Sequence, residues 1–322
     1  MNTSETLKQK KHSPAKRDED GRVLAQENEH AVLAGLAHYG FLSAAQLQAL
    51  VWPDSKQSRV AQRTLKRLVE RKLVQRQFNL QARQVYALTA AGACFTRAAL
   101  GIEAASTLQA LPAAQRSFDH RMLANDMCIR WQVLMGGSAT SVFTEYSIQQ
   151  GTAPIVKKEA HFGKTKGKIP DGLLLLPEFE HPTKGRVVPL AWGEVEMADK
   201  WGEDYAHLIS EICHVLGGYG KERFELPNPH YARNKITYEV HAVMVACPNE
   251  QHQVKLAKSV LERLTTQPWN RHKWDYVKDG VWIWTPGMPS VNLNKWLEQH
   301  PDVAAWHADM RREWSDRNFG KD

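Results

Sequence analysis

Lys168-Ile-Pro-Asp-Gly-Leu-Leu-Leu-Leu-Pro177 and Trp192-Gly-Glu-Val-Glu-Met197 decide how the rest of the chain is read. Asp171 heads one apolar run, and Glu194 and Glu196 close another, Val187 to Trp192. Both runs have the length and composition of buried strands. Side chains two apart on a strand point to one face, so Glu194 and Glu196 should project together. A neighbouring strand could bring Asp171 beside them. Three carboxylates on one sheet edge repel each other, and a divalent cation offsets that repulsion. Oxygen ligands suit Mg²⁺ or Mn²⁺.

The rest of the chain sets limits on this site. At 322 residues it is long enough for two domains, and 43% hydrophobic residues suffice for ordinary cores. No apolar stretch approaches the length of a membrane span, and the polar N-terminus lacks the apolar segment of a secretion signal. The four cysteines, Cys94, Cys128, Cys213 and Cys247, form no CxxC pair. That argues against a zinc cluster or disulfide framework and makes a cytoplasmic protein with reduced thiols the expectation. A formal net charge of +7 favours a polyanionic partner.

Residues 1–27 read as a disordered arm, lysine-rich and then acidic, either touching phosphates or simply solvated. Residues 28–105 form the first expected domain. Ala31–Tyr39 is a helix closed by Gly40. Ser43 caps a second helix, Ala44–Leu50. A third runs from Ser58 to Lys72, with Val60, Leu65, Leu68 and Val69 at helical spacing. Extended pieces at Leu73–Phe78 and Gln84–Leu88 then make a hairpin. Three helices and a hairpin in this order predict a winged helix-turn-helix, whose third helix would enter a major groove. Arg59, Gln62, Arg63, Lys66 and Arg67 on that helix, with Arg76 and Arg83 on the hairpin, are the candidate contacts to double-stranded DNA. The same charges also suit a solvated face, and such domains also dock proteins.

Residues 112–322 form the second expected domain, able to fold alone. Its order is a helix around His120 to Trp131, a strand over Val142–Ile148, the Asp171 strand and the strand leading to Glu196. A helix over Lys200–Tyr219, a strand over Ile236–Ala246 and a helix over Gln251–Leu264 follow. This αβββαβ order makes the class α/β. Tyr276–Trp284 reads as a hairpin turning at Asp279-Gly280. The tryptophans of the C-terminal part serve packing more readily than base stacking.

Three features together resemble the replication-relaxation family of plasmids and integrative elements, which includes the MOBC-type mobilisation relaxases. They are Arg63-Thr-Leu-Lys-Arg-Leu-Val-Glu-Arg-Lys-Leu-Val74 with Tyr86-Ala-Leu-Thr-Ala-Ala-Gly92; His120 with Asn125-Asp126; and Pro170-Asp171 followed by Glu194-Val-Glu196. The pattern covers roughly residues 30–220. The resemblance implies a restriction-endonuclease-like PD-(D/E)xK second domain. It also implies a metal-dependent nicking activity or an inert accessory role at a plasmid or element origin, beside other relaxosome or transfer proteins. In the active case Asp171 and Glu194 would hold the metal, with Glu196 as a further ligand or as a carboxylate just behind the ligands. Glu196 stands where the standard motif has lysine, so Lys200, one helical turn on, would stabilise charge on phosphorus. His120 would orient a water or pair with a carboxylate, or else only pack its helix. Glu145 could add a fourth acid. A transcription regulator with a ligand or oligomerisation domain is the reading of a third class.

Overall fold

The computed structural model describes residues 21–55, 58–78, 82–104, 115–136, 141–151, 153, 169–183, 185–197, 203–217, 223–225, 237–266 and 277–319. Its first element, α1 (Gly21–Tyr39), begins ten residues ahead of the expected Ala31 and takes in part of the expected arm. Residues 21–30 lack an apolar stripe, and Val23 and Leu24 are exposed. What holds this extension is tertiary. Glu29 pairs with Arg67 and Arg71, and Trp52 Nε1 donates to Asn28 Oδ1 at 2.7 Å. A local pattern cannot announce such partners.

Gly40, at φ +81°, ends α1 and turns the chain into β1 (Phe41–Leu42). Ser43 and Gln46 form a reciprocal capping box on α2 (Ala44–Val51), as the Ser-x-x-Gln spacing dictates. Next come α3 (Arg59–Glu70), β2 (Val74–Phe78), β3 (Gln84–Leu88) and α4 (Ala90–Leu100). β1, β3 and β2 make one antiparallel sheet in that order. Leu33, Leu36, Leu47, Leu65, Leu68 and Leu88 are buried between the helices and this sheet. The element order is that of the expected helix-and-hairpin unit.

The second unit opens with α5 (Gln115–Leu134), β4 (Val142–Thr144), α6 (Glu145–Gln149), β5 (Gly172–Leu175), β6 (Phe179–His181) and β7 (Gly185–Val195). It continues with α7 (Glu203–Gly217), β8 (Arg223–Glu225), β9 (Thr237–Ala246) and α8 (Glu250–Thr266). It closes with β10 (Val281–Trp284), β11 (Val291–Asn292), α9 (Leu293–Gln299) and α10 (Pro301–Phe319). Eight strands share one sheet, in the order β11-β10-β9-β7-β5-β4, with β6 beside β7 and β8 beside β9. β4, β5 and β7 are antiparallel, while β7, β9 and β10 run parallel. The protein is therefore mixed α/β, and α6, β6 and β8 are insertions in the expected αβββαβ order.

Two local expectations change. The strand expected over 142–148 stops at Thr144, whose hydroxyl accepts from Ser147 N at 3.1 Å and starts α6. Glu145 is thus on a helix. The hairpin expected at Asp279-Gly280 is not formed: residues 277–280 are helical, and β10 pairs with β9 and β11. A Cβ on Gly280 would lie 2.9 Å from Leu216 Cδ2, so close approach to α7, not a turn, explains this glycine.

The sheet is covered on both faces. Leu173, Leu190, Trp192, Val243 and Val245 point toward the side holding α7 and α8. Leu174, Ala191, Val195, Met244 and Ala246 point toward α5. The core on the α5 side runs without a break into the helix-and-hairpin unit, through Val32, Leu36, Leu65 and Leu88. Polar pins cross the same boundary. Tyr39 donates to Gln132 at 2.8 Å, Asn125 Nδ2 to Phe41 O at 2.9 Å, and Thr144 to His38 O at 3.0 Å. Gln46 Nε2 donates to both Met122 O and Asp126.

Candidate acidic site and candidate nucleic-acid interface

β5 and β7 bring the two apolar runs side by side. Gly172 pairs with Gly193, and Asp171 N donates to Gly193 O at 3.0 Å. One step further along this antiparallel register stand Asp171 and Glu194, both buried. Asp171 Oδ2 accepts from Val195 N at 2.8 Å, and Glu194 Oε1 accepts from Trp192 Nε1 at 2.7 Å. The sequence expected this meeting of Asp171 with the second run. Glu196 is also buried; burial is the main cause that raises the pKa values of Tyr205 and Cys247, and the Glu196 charge also acts in the raising direction on each. Lys200 and the lysines from 157 to 168 lie outside the described residues.

The other half of the site comes from α5. His120 Nε2 is 3.4 Å from Asp171 Oδ2, and Arg121 Nη2 is 2.8 Å from Glu145 Oε2. Burial alone would depress the His120 pKa. The hydrogen bond and charge of Asp171, with Glu145 and Glu194, outweigh it and raise the pKa. His120 therefore meets the acids instead of only packing its helix. Asn125 and Asp126, the other members of its motif, are pins between the two units and do not reach the acids.

α5 can lie this close because glycines clear its path. A Cβ on Gly172 would sit 2.5 Å from Cys128 Sγ, and one on Gly193 would sit 2.5 Å from Met127 Cε and 2.8 Å from Trp131 Cη2. These two residues adjoin Asp171 and Glu194 in sequence, and the sequence reading passed over them. The signal was there: a glycine next to each acid inside a buried strand marks a close approach.

Asp171 and Glu194 are the described carboxylates that could hold a divalent ion, whose shell water and phosphate oxygens would complete. Among the described residues, no group of three or more His, Cys, Asp or Glu side chains is placed to hold a metal ion.

The expected DNA contacts divide in two. Arg59, Gln62, Arg63 and Lys66 are exposed along α3, and Arg76 is exposed on β2. Lys66 pairs loosely with Glu70 at 3.8 Å, an exposed contact of little energetic weight. Arg67 also faces outward but gives its Nε to Glu29 at 2.9 Å. Arg83 is tied to Asp119 of α5 and lies over the Phe118 ring, 5.7 Å from its centroid. Consecutive residues of α5 thus hold the hairpin (Asp119), Asp171 (His120) and α6 (Arg121).

A small antiparallel sheet with a basic helix, packed against a larger mixed sheet that carries paired acids, defines a two-unit α/β protein. A family model described as replication-relaxation matches residues 33–174, in keeping with the resemblance carried by the sequence motifs. The match spans the basic helix, α5 and Asp171, and stops before Glu194. No curated protein matches the chain. The match suggests a role in plasmid or mobile-element replication or transfer. No helix among the described residues is long and apolar enough to cross a membrane.

Proposed function

We propose that the protein binds duplex DNA at an origin of plasmid or mobile-element replication or transfer, with the helix-and-hairpin unit acting as a winged helix-turn-helix. The exposed basic side chains of α3, with Arg76 exposed on β2, support this most directly. Guanidinium forks match phosphate oxygens and guanine edges, and a helix of this diameter fits a major groove. The hairpin's tie to α5 holds the groove-reading surface in fixed relation to the sheet. Relaxosome or transfer proteins are the partners such a role would bring. The test is the salt dependence of binding to a random-sequence duplex, followed by anisotropy. Arg63→Ala should lower the slope of log K against log salt by about one. An unchanged slope would remove α3 from the interface.

One observation favours a second, catalytic reading of the acidic site. Buried Asp171 and Glu194 are set side by side by register and fixed by Val195 N and Trp192 Nε1. Mg²⁺ or Mn²⁺ held by this pair would polarise a phosphodiester and acidify a bound water. His120 would orient Asp171, and a protonated His120 would offset its charge. Glu196 and Lys200 keep the further-ligand and charge-stabilising roles that the family resemblance gives them. Supercoiled plasmid with either metal should then yield nicked circles with wild type and none with Asp171→Asn, which keeps an acceptor for Val195 N. Wild-type protein that binds DNA but leaves it covalently closed would assign the acidic site to an inert accessory protein.

A further inference from the structure

The N-terminal turns of α1, the C-terminal end of α3 and α4 enclose an open pocket of about 490 Å³, lined by Arg22, His30, Arg67, Arg71 and Phe95 around Glu29. Glu29 is buried and takes both arginines of the α3 end: Arg67 through Nε at 2.9 Å, and Arg71 through Nη1. Each guanidinium spends one nitrogen on Glu29. Arg67 keeps both Nη groups and Arg71 keeps Nε and Nη2, and the two side chains are 43% and 49% exposed. The Arg71 guanidinium also lies over the Phe95 ring, 5.6 Å from its centroid. A salt bridge that served only to fix α1 to α3 would need one arginine. Two arginines on one carboxylate leave this end of the pocket with two cations against one anion.

We infer that this pocket binds a phosphate group. The buried carboxylate holds two guanidiniums in place before any ligand arrives, so little side-chain entropy remains to be lost on binding. Their remaining N–H groups supply the paired donors that phosphate oxygens accept. The phosphate can belong to the DNA backbone flanking α3, an assignment that rests on the DNA-binding reading, or to a free phosphate ligand. In the first case the interface extends around α3 onto α1.

The test uses the full chain with Arg71→Ala and Arg71→Lys, both of which leave the Glu29–Arg67 pair in place. Pyrophosphate binding is measured by calorimetry, and duplex binding by anisotropy across salt concentrations. Arg71→Ala should weaken pyrophosphate at least tenfold and lower the duplex salt slope by about one. Arg71→Lys, which keeps the charge and loses the fork, should fall between. A lower duplex slope without wild-type pyrophosphate binding supports the pocket as a backbone-phosphate site. Weaker pyrophosphate with an unchanged duplex slope supports it as a site for a free phosphate ligand. If Arg71→Ala matches wild type on both, or wild type binds no pyrophosphate and the slope is unchanged, the pocket is overturned. The Arg63→Ala slope judges DNA binding by α3 separately, so the two can fail independently.

Discussion

At the residue scale, Gly193 carries the structural demand that bears on the acidic site. An added methyl would have to displace Trp131 and Met127 and would lie 3.1 Å from Gly172 O. Gly193→Ala should therefore destabilise the fold by about 1–3 kcal/mol, the usual range for overpacking, measured by urea unfolding. It should also loosen His120 from Asp171, because α5 must lift. His38 gives a second residue-scale prediction. Burial pushes its pKa down to about 4, a hydrogen bond with the Val142 backbone offsetting part of the shift. Its ring sits between Tyr39 and Phe143, with centroids 5.0 and 6.4 Å away. In the unfolded chain the same imidazole titrates near 6.5, so below that pH the unfolded state binds the extra proton. The stabilising contribution is full above pH 6.5 and is lost as pH falls toward 4, at up to about 3 kcal/mol. His307, also lowered to about 4, adds to the same slope. His38→Phe should flatten part of the loss between pH 6.5 and 4.5, read from urea midpoints; an equally steep loss would refute the assignment.

At the element scale, α2 is joined to α5 by one side chain. Gln46 Oε1 accepts from Ser43 N at 3.0 Å, while its amide donates to Met122 O and Asp126. Gln46→Ala removes the reciprocal half of the cap and leaves half-buried acceptors on α5 without this donor. It should cost about 2–4 kcal/mol, from a cap of about 1 and an unsatisfied acceptor of 1–3. A loss below half a kcal/mol in thermal or urea unfolding would contradict that role. The capping box itself was legible from Ser43-x-x-Gln46, but the reach of Gln46 across 80 residues to Asp126 was not. The same contrast holds elsewhere. The strand carrying Glu194 and its meeting with Asp171 followed from apolar runs and a two-residue period. The early start of α1 depended on Arg67 and Arg71, which lie 38 and 42 residues from Glu29. The hairpin at Asp279-Gly280 failed because a glycine accommodating Leu216 looks, in sequence, like one making a turn. Glu196 kept its place beyond β7, yet its surroundings, Tyr205 and Cys247, come from elements that periodicity alone does not bring together.

At the scale of the whole molecule, the boundary near residue 105 divides the chain but not the core. Met127 and Trp131 share one apolar cluster with Val32, Leu36 and Leu88. The sequence predicted that 112–322 would fold alone. With 21–104 removed, α5 and β4 would expose that cluster, and each large apolar side chain returned to water costs roughly 1.5–3 kcal/mol. The isolated fragment should therefore lack fixed near-ultraviolet dichroism, and the full chain should unfold in one transition. A fragment with native-like dichroism would restore two independent units. On the proposed DNA-binding reading, a shared core would hold a duplex bound by α3 in fixed relation to Asp171 and Glu194. We propose that the basic face of α3, and not the overall charge of +7, is what grips DNA. The most direct test compares two variants with equal charge change on a random duplex: Arg59→Glu with Arg63→Glu on α3, and Lys295→Glu with Arg312→Glu on exposed positions of α9 and α10. The account predicts that the α3 pair loses at least a hundredfold in affinity while the distant pair stays within threefold of wild type; equal losses from both pairs would contradict it.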